Sequence, residues 1–203
     1  MHLVGVTGGI GAGKTTVLRH LHSFNARTVD ADTLVHELYA PGTRVFRGVL
    51  RRWGSDVTTV NGDIDRAAVA RLVFADKDEL EWLNRLVHPC VRQRIREIAE
   101  QQPTPLFCAI PLLFEVGWER DIRTTISVWC PPETQRSRLR SRGWTDEHID
   151  ERLAHQLSMD EKLRRADYGI INNGSQEMLR EQCIAVYQRV MTDMAKGRRN
   201  AKN

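Results

Sequence analysis

The sequence predicts an α/β fold, a parallel sheet between layers of helix, and three observations carry that prediction. The short apolar run Leu3-Val4-Gly5-Val6 leads into Gly8-Gly9-Ile10-Gly11-Ala12-Gly13-Lys14-Thr15. Apolar residues at helical spacing follow at once: Val17, Leu18, Leu21 and Phe24. Further short apolar runs at residues 106–110 and 125–130 read as core strands, the first covered on both faces, and Tyr168-Gly169-Ile170-Ile171 as a last short strand. Strand, glycine loop and helix in that order are the setting of the phosphate-binding P-loop, G-x-x-x-x-G-K-[ST]. The fold class is therefore a three-layer α/β/α P-loop nucleotide-binding fold with a helical insertion and a lid.

Each part of the loop has a physical task. Its glycines let the backbone turn tightly and aim N–H groups at a phosphate. The following helix adds the partial positive charge of its N-terminus. Lys14 is placed to reach the β- and γ-phosphates of a nucleotide, and the Thr15 hydroxyl to bind Mg²⁺. The amides of Gly11, Ala12, Gly13, Lys14, Thr15 and Thr16 form the phosphate cradle.

Composition narrows the class further. The chain has 203 residues, a hydrophobic content of 41% and a formal net charge of +4. That supports one substantial domain with insertions. No apolar run nears the roughly 20 residues of a membrane span. The N-terminus enters a strand within three residues, which leaves no room for a signal peptide. Cys90, Cys108, Cys130 and Cys183 are widely spaced without a C-x-x-C pair. They read as reduced thiols of a cytoplasmic protein, not as a metal site. The basic balance suits a polyanionic ligand. Basic residues are scattered apart from the tail Lys196-Gly197-Arg198-Arg199, so neither a nucleic acid nor a membrane is expected as a partner. A monomer or weak homo-oligomer is expected.

After the loop helix, Thr28-Val29 forms a short β-type run ending in Asp30-Ala31-Asp32. Ligands of open α/β sheets bind at the carboxyl ends of strands, so both carboxylates are expected near the P-loop mouth. One can activate a hydroxyl and the other help hold the metal or its water. Either can instead cap the helix that starts near Thr33. Residues 33–103 are mostly helical and too long for a plain connection. Helices are expected at 33–39, 44–53 and 64–74, the last burying Val69, Leu72 and Val73. Two further helical faces, Leu80, Leu83 and Val87, then Val91, Ile95 and Ile98, are separated at His88-Pro89, where proline disfavours the α conformation before it. Within this insertion Arg66 follows a turn and can meet a phosphate on an acceptor or simply face solvent. His88 is either a structural residue or a ligand contact.

The strand at 106–110 carries no terminal Asp, so the usual second metal carboxylate of a P-loop protein is missing there. After the strand at 125–130, residues 133–142 form a helix dense in arginine. Arg138 and Arg142 share one face, and Arg136 and Arg140 another. Gly143 ends that helix, and a polar helix runs on to about Gln156. Together they read as a mobile lid that brings cations to the transferring phosphate, or else as a solvated helix whose charges repel or pair locally. Asn172-Asn173-Gly174 turns the chain after the last strand. The Asn pair either meets an adenine edge or serves the turn. A final helix buries Cys183, Val186, Val190 and Met194.

The motifs in this order resemble the dephospho-CoA kinase family. The matching pieces are residues 7–16, Asp30-Ala31-Asp32, His88-Pro89, Pro111-Leu112-Leu113-Phe114-Glu115, and Ala166-Asp167 through Asn172-Asn173-Gly174. The resemblance implies transfer of the γ-phosphoryl group of ATP to the ribose 3′-hydroxyl of dephospho-CoA, with Mg²⁺. It implies a nucleotide-binding core of residues 1–33, 104–132 and 165–203. It also implies a helical acceptor-binding domain of residues 34–103 and a lid of residues 133–164. The family's catalytic aspartate falls on Asp32, its threonine before the P-loop on Thr7, and its lid arginine on Arg138 with Arg142 as a second candidate. Its acceptor-binding arginine falls on Arg66. Lys14 completes the catalytic set, Asn173 joins the ATP-binding residues, and His88 joins the acceptor-binding ones.

Two other functions fit parts of the pattern. Another small-metabolite or nucleotide P-loop kinase, such as one acting on shikimate or a nucleoside monophosphate, shares an Asp after the second strand. The long helical insertion argues for a larger acceptor. A nucleotide-dependent switch protein should carry N-K-x-D and D-x-x-G motifs, and the chain has neither.

Overall fold

The structure, a computed structural model, describes residues 2–200, with side chains as far as residue 196. It divides into two compact units, residues 1–30 with 103–203, and residues 31–102. The C-terminal helix reaches the basic tail, but the side chains of residues 197–199 lie outside the described residues.

The first unit is built on five parallel strands: β1 Leu3–Gly8, β2 Arg27–Asp30, β3 Leu106–Ala109, β4 Thr124–Trp129 and β5 Tyr168–Ile171. Their order in the sheet is β2-β3-β1-β4-β5. The central strands are apolar on both faces because helices cover both. Val4, Val6, Phe107, Ile126 and Val128 are fully buried. β3 lies directly beside β1, with Val6 opposite Ala109, so β2 is separated from the P-loop strand by one neighbour.

Helix α1, Lys14–Ser23, buries Val17, Leu18 and Leu21. The arginine-rich helix α6 runs over Pro132–Arg140, α7 over Asp146–Ala154 and α8 over Met159–Arg165. The expected helix to residue 142 is thus two residues shorter. Arg142 lies in the turn closed by Gly143 (φ 84°), which no side-chained residue adopts cheaply. Helix α9, Gln176–Asn200, packs Leu179, Cys183, Val190 and Met194 into the core, with Val186 partly buried.

The second unit is helical: α2 Ala31–Leu38, α3 Arg44–Trp53, α4 Arg66–Ala75 and α5 Lys77–Glu100. Helix α4 starts later than expected, because Ile64 pairs with Thr58 in an antiparallel bridge and Asp65 caps the helix by accepting from the Ala67 and Ala68 N–H groups. Leu72 is 37% exposed, and Ala68 takes its expected place beside Val69 and Val73. The break at His88-Pro89 does not occur. Helix α5 runs unbroken through Pro89, because Leu83, Val87, Val91, Ile95 and Ala99 form one buried stripe at four-residue spacing. Proline removes one N–H from that ladder, and burial along the stripe offsets it.

Among the described residues, no helix is long and apolar enough to cross a membrane, and the four cysteines are free thiols.

Candidate active site

The P-loop occupies the turn between β1 and α1. Gly13 precedes α1 with φ 104°, and a Cβ there would lie 2.2 Å from the Asn172 amide nitrogen. Gly8 is packed as tightly, since a Cβ would meet the Val128 carbonyl oxygen at 2.4 Å. Both positions therefore require glycine for space as well as for conformation. The Lys14 ammonium donates to the carbonyls of Gly8 (2.9 Å) and Gly9 (3.1 Å), curled over the loop it belongs to. Thr15 is exposed and Thr16 half-buried at the start of α1.

Asn172 secures the far side of the loop. It is 4% exposed, and its Nδ2 donates to the Ala12 carbonyl at 2.8 Å. Its own N–H donates to the Trp129 carbonyl, which ties the turn to the end of β4. Asn173, the expected ATP contact, is exposed on the same turn. The sequence gives the two asparagines equal standing, and only the packing separates them.

The four arginines expected on the lid helix part company. Arg138 Nη1 lies 3.4 Å from the Ala12 carbonyl, and its Nη2 donates to the Asn172 carbonyl at 3.1 Å. Arg136 is paired with Asp150 and with Asp146 at 3.6 Å, and Arg140 with Asp146 at 2.8 Å. The side of α6 that carries Arg136 and Arg140 thus faces α7, while Arg138 faces the P-loop. Arg142 is exposed past the helix end. Cys130, buried beside Met159, feels both Arg138 and Lys14. Burial nevertheless pushes its thiol up, and the two cations only partly oppose that.

Thr7, at the end of β1, is fully buried and donates to the Pro111 carbonyl at 3.3 Å. The same carbonyl accepts from Lys162 Nζ at 2.7 Å, and Lys162 pairs with Glu115 at 2.8 Å. Sequence reading missed this buried pair. Its only trace is Glu115 at the end of the Pro111–Glu115 motif, and nothing marks Lys162 among its charged neighbours. β3 ends at Ala109, without a carboxylate. No cluster of three or more acidic, His or Cys side chains that could hold a metal occurs among the described residues. A dedicated cation cage is not what this donor set forms. It suits a magnesium ion that arrives with the nucleotide and keeps most of its waters.

In the helical unit, Asp32 lies in the first turn of α2 and is exposed, two residues after the carboxyl end of β2. Asp30 closes β2 opposite Ala109. Because α2 begins at Ala31, Asp32 is inside the helix and does not cap one that starts at Thr33. Arg66, the first residue of α4, contacts His36 Nδ1. Tyr39 is within reach of its charge, and burial raises the Tyr39 hydroxyl pKa. His88 lines an open groove of about 490 Å³ on α5 with Glu81, Asn84, Arg85, Pro89 and Arg92. Burial, with the Arg92 guanidinium adding to it, lowers the His88 pKa.

A parallel five-stranded sheet, a complete glycine loop at the end of its middle strand, and one arginine from a following helix aimed at that loop define a P-loop phosphotransferase. The dephospho-CoA kinase (CoaE) family model matches residues 2–177. The dephospho-CoA kinase of Symbiobacterium thermophilum is 41% identical over 194 residues, 93% of this chain and 81% of that protein. Among solved structures, the TT1252 protein of Thermus thermophilus superposes with a TM-score of 0.81 at 35% identity, covering 93% of this chain and 97% of its own. The dephospho-CoA kinase of Campylobacter jejuni does so at 0.70 and 27%, covering 93% and 96%. The chain belongs to the dephospho-CoA kinase family. It is an ATP-dependent kinase, and the family's reaction is the phosphorylation of dephospho-CoA, the last step of coenzyme A biosynthesis.

Proposed function

We propose that the chain moves the γ-phosphoryl group of ATP to the ribose 3′-hydroxyl of dephospho-CoA through the residues named here. The observation that carries this reading is the convergence of Arg138, Asn172 and the P-loop on the Ala12 carbonyl, one residue from Gly13 and two from Lys14. Phosphoryl transfer needs positioning and charge stabilisation more than covalent chemistry. The amides of residues 11–16 and the Lys14 ammonium hold the phosphates. Arg138, already set against the loop, meets the charge that spreads over the γ-phosphoryl oxygens in the transition state. Asp32 accepts a hydrogen bond from the 3′-hydroxyl and takes its proton as the new P–O bond forms. Mg²⁺ enters on ATP, with the Thr15 hydroxyl as its protein ligand, and neutralises phosphate charge. Thr7 is the fourth member of the catalytic set, and its bond to the Pro111 carbonyl fixes the end of β1 from which the loop springs.

The helical unit binds the acceptor, with Arg66 on an acceptor phosphate and His88 in its groove as the contact residues. Residues 133–164 form the lid, Arg142 is a second cation at its rim, and Asn173 meets the adenine. Dephospho-CoA is the small-molecule partner. The protein acts as a monomer or weak homo-oligomer, without nucleic acid, and the free cysteines support a cytoplasmic site.

The test is ADP release with ATP and Mg²⁺, with and without dephospho-CoA, the product being checked for one added phosphate by mass. Strong stimulation with a phosphorylated acceptor is expected. ADP release indifferent to dephospho-CoA overturns the reading.

A further inference from the structure

The P-loop residue Ile10 is gripped through both polar groups of its backbone. Its carbonyl accepts from Gln135 Nε2 at 2.6 Å, and its N–H donates to Gln156 Oε1 at 3.1 Å. Gln135 stands on α6 and is 4% exposed, while Gln156 follows α7. Gln135 is packed so closely that a Cβ on Gly9 would lie 2.8 Å from its amide nitrogen. The backbone beside Gln156 is fixed as well, because the Leu157 N–H donates to Glu115 Oε1 at 2.9 Å. That same oxygen lies 2.8 Å from the Nζ of fully buried Lys162. Two amide side chains from two separate elements thus satisfy one loop residue, and a buried ion pair anchors the second of them.

Ile10 immediately precedes Gly11, where the phosphate-cradling amides begin. The Ile10 N–H is already taken by Gln156, so it is not one of them. Arg138 holds the opposite end of the same short loop at Ala12. Contacts at residues 10 and 12 therefore bracket Gly11 from the same helical segment.

We propose that Gln135 and Gln156 are positioning residues that latch the segment of α6 and α7 onto the P-loop at Ile10, and so keep water from the transferring γ-phosphoryl group. This rests on the reading of that segment as a lid. A kinase whose lid leaves the phosphates loses phosphoryl groups to solvent. In that leak a water oxygen bonds to Pγ, the bond from Pγ to the ADP oxygen breaks, and the water proton passes to solvent. Nothing is oxidised or reduced, and the only co-reactant is water.

The experiment measures ADP formed per CoA formed, at saturating ATP and dephospho-CoA, in the full chain. The unaltered protein gives one ADP per CoA. Gln156→Leu keeps the size of the side chain and removes the acceptor. It is expected to raise the ratio clearly above one and the KM for ATP about fivefold, the effect of one lost hydrogen bond. Gln156→Glu keeps an acceptor for the Ile10 N–H and is expected to restore the ratio toward one, even where its charge weakens ATP binding. A Gln156→Leu ratio that stays at one overturns the proposal. So does a Glu variant that leaks as much as the Leu variant, because the hydrogen bond is then not what excludes water. Failure of the lid reading shows separately, as normal turnover in Arg138→Ala, and failure of the kinase reading as no CoA from the unaltered protein.

Discussion

Arg138 and Asn172 reach the same P-loop carbonyl, that of Ala12, from two different elements, at 3.4 and 2.8 Å, and they also touch each other through Arg138 Nη2 and Asn172 Oδ1 at 3.3 Å. The arginine is therefore held beside the phosphate cradle by contacts within the protein itself. A cation so placed costs little reorganisation when charge develops on the γ-phosphoryl group. Arg138→Ala is expected to lower kcat by about a thousandfold, the range of arginines that meet the transferring phosphate. Arg140→Ala removes only an exposed pair with Asp146 and is expected to leave kcat within about twofold. Steady-state rates of the two variants check this, and the reverse order would place the catalytic cation on the other face of α6.

Asp32 is read as the base from the motif and from its place just beyond the carboxyl end of β2. Asp32→Asn keeps size and polarity but cannot take a proton. It is expected to lower kcat by about 10²- to 10⁴-fold. ATP affinity, measured by titration calorimetry without acceptor, should not change, because the amides of the loop and Lys14 are untouched. Near-normal turnover would exclude proton transfer to Asp32. A matching loss of ATP affinity would instead make Asp32 part of nucleotide binding.

The middle of the sheet was legible because β1, β3 and β4 are buried on both faces and so read as apolar runs, whereas the edge strands β2 and β5 are only partly buried. The P-loop was legible because Gly8 and Gly13 are demanded by packing as well as by conformation. Helix α5 was misread at Pro89, since a local rule about the residue before proline competes with a buried stripe that only the whole helix reveals. The lid arginines could be sorted into two faces from their spacing. Which face met the loop depended on Asp146 and Asp150, whose position relative to α6 no periodicity encodes. Gln135, Gln156 and Lys162 left no signal, because a single glutamine or lysine on a polar helix looks the same whether it faces solvent or a loop carbonyl.

Lys162 and Glu115 form the one fully buried ammonium with its carboxylate among the described ion pairs, and the second carboxylate oxygen of Glu115 is buried with no hydrogen-bond partner. Burial lowers the Lys162 pKa, and the Glu115 carboxylate opposes that. Removing one partner strands the other charge in the interior. Lys162→Met is therefore expected to cost roughly 3–5 kcal/mol. Glu115→Leu combined with Lys162→Met removes both charges and is expected to recover much of that loss. Denaturant unfolding of the two singles and the double completes the cycle. A double variant as unstable as the sum of the singles would mean the two groups are not coupled through the ion pair.

His88 supplies a pH dependence whose sign follows from its surroundings. Burial and the nearby Arg92 guanidinium hold it below the ordinary value of 6.5, with Arg85 and Glu81 the other charged groups of its groove. In the unfolded chain it titrates at that ordinary value. Between the two, the unfolded state binds a proton that the folded state refuses. Stability therefore falls as pH drops below 6.5 and stops falling once the folded histidine is also protonated. His88→Gln removes the titrating group and keeps a polar side chain in the groove. Thermal unfolding from neutral to mildly acidic pH should show a smaller decline for His88→Gln than for the unaltered protein. Equal declines would assign the acid sensitivity to other groups, and a steeper decline in the variant would mean that His88 gains its proton more readily in the folded chain than in the unfolded one.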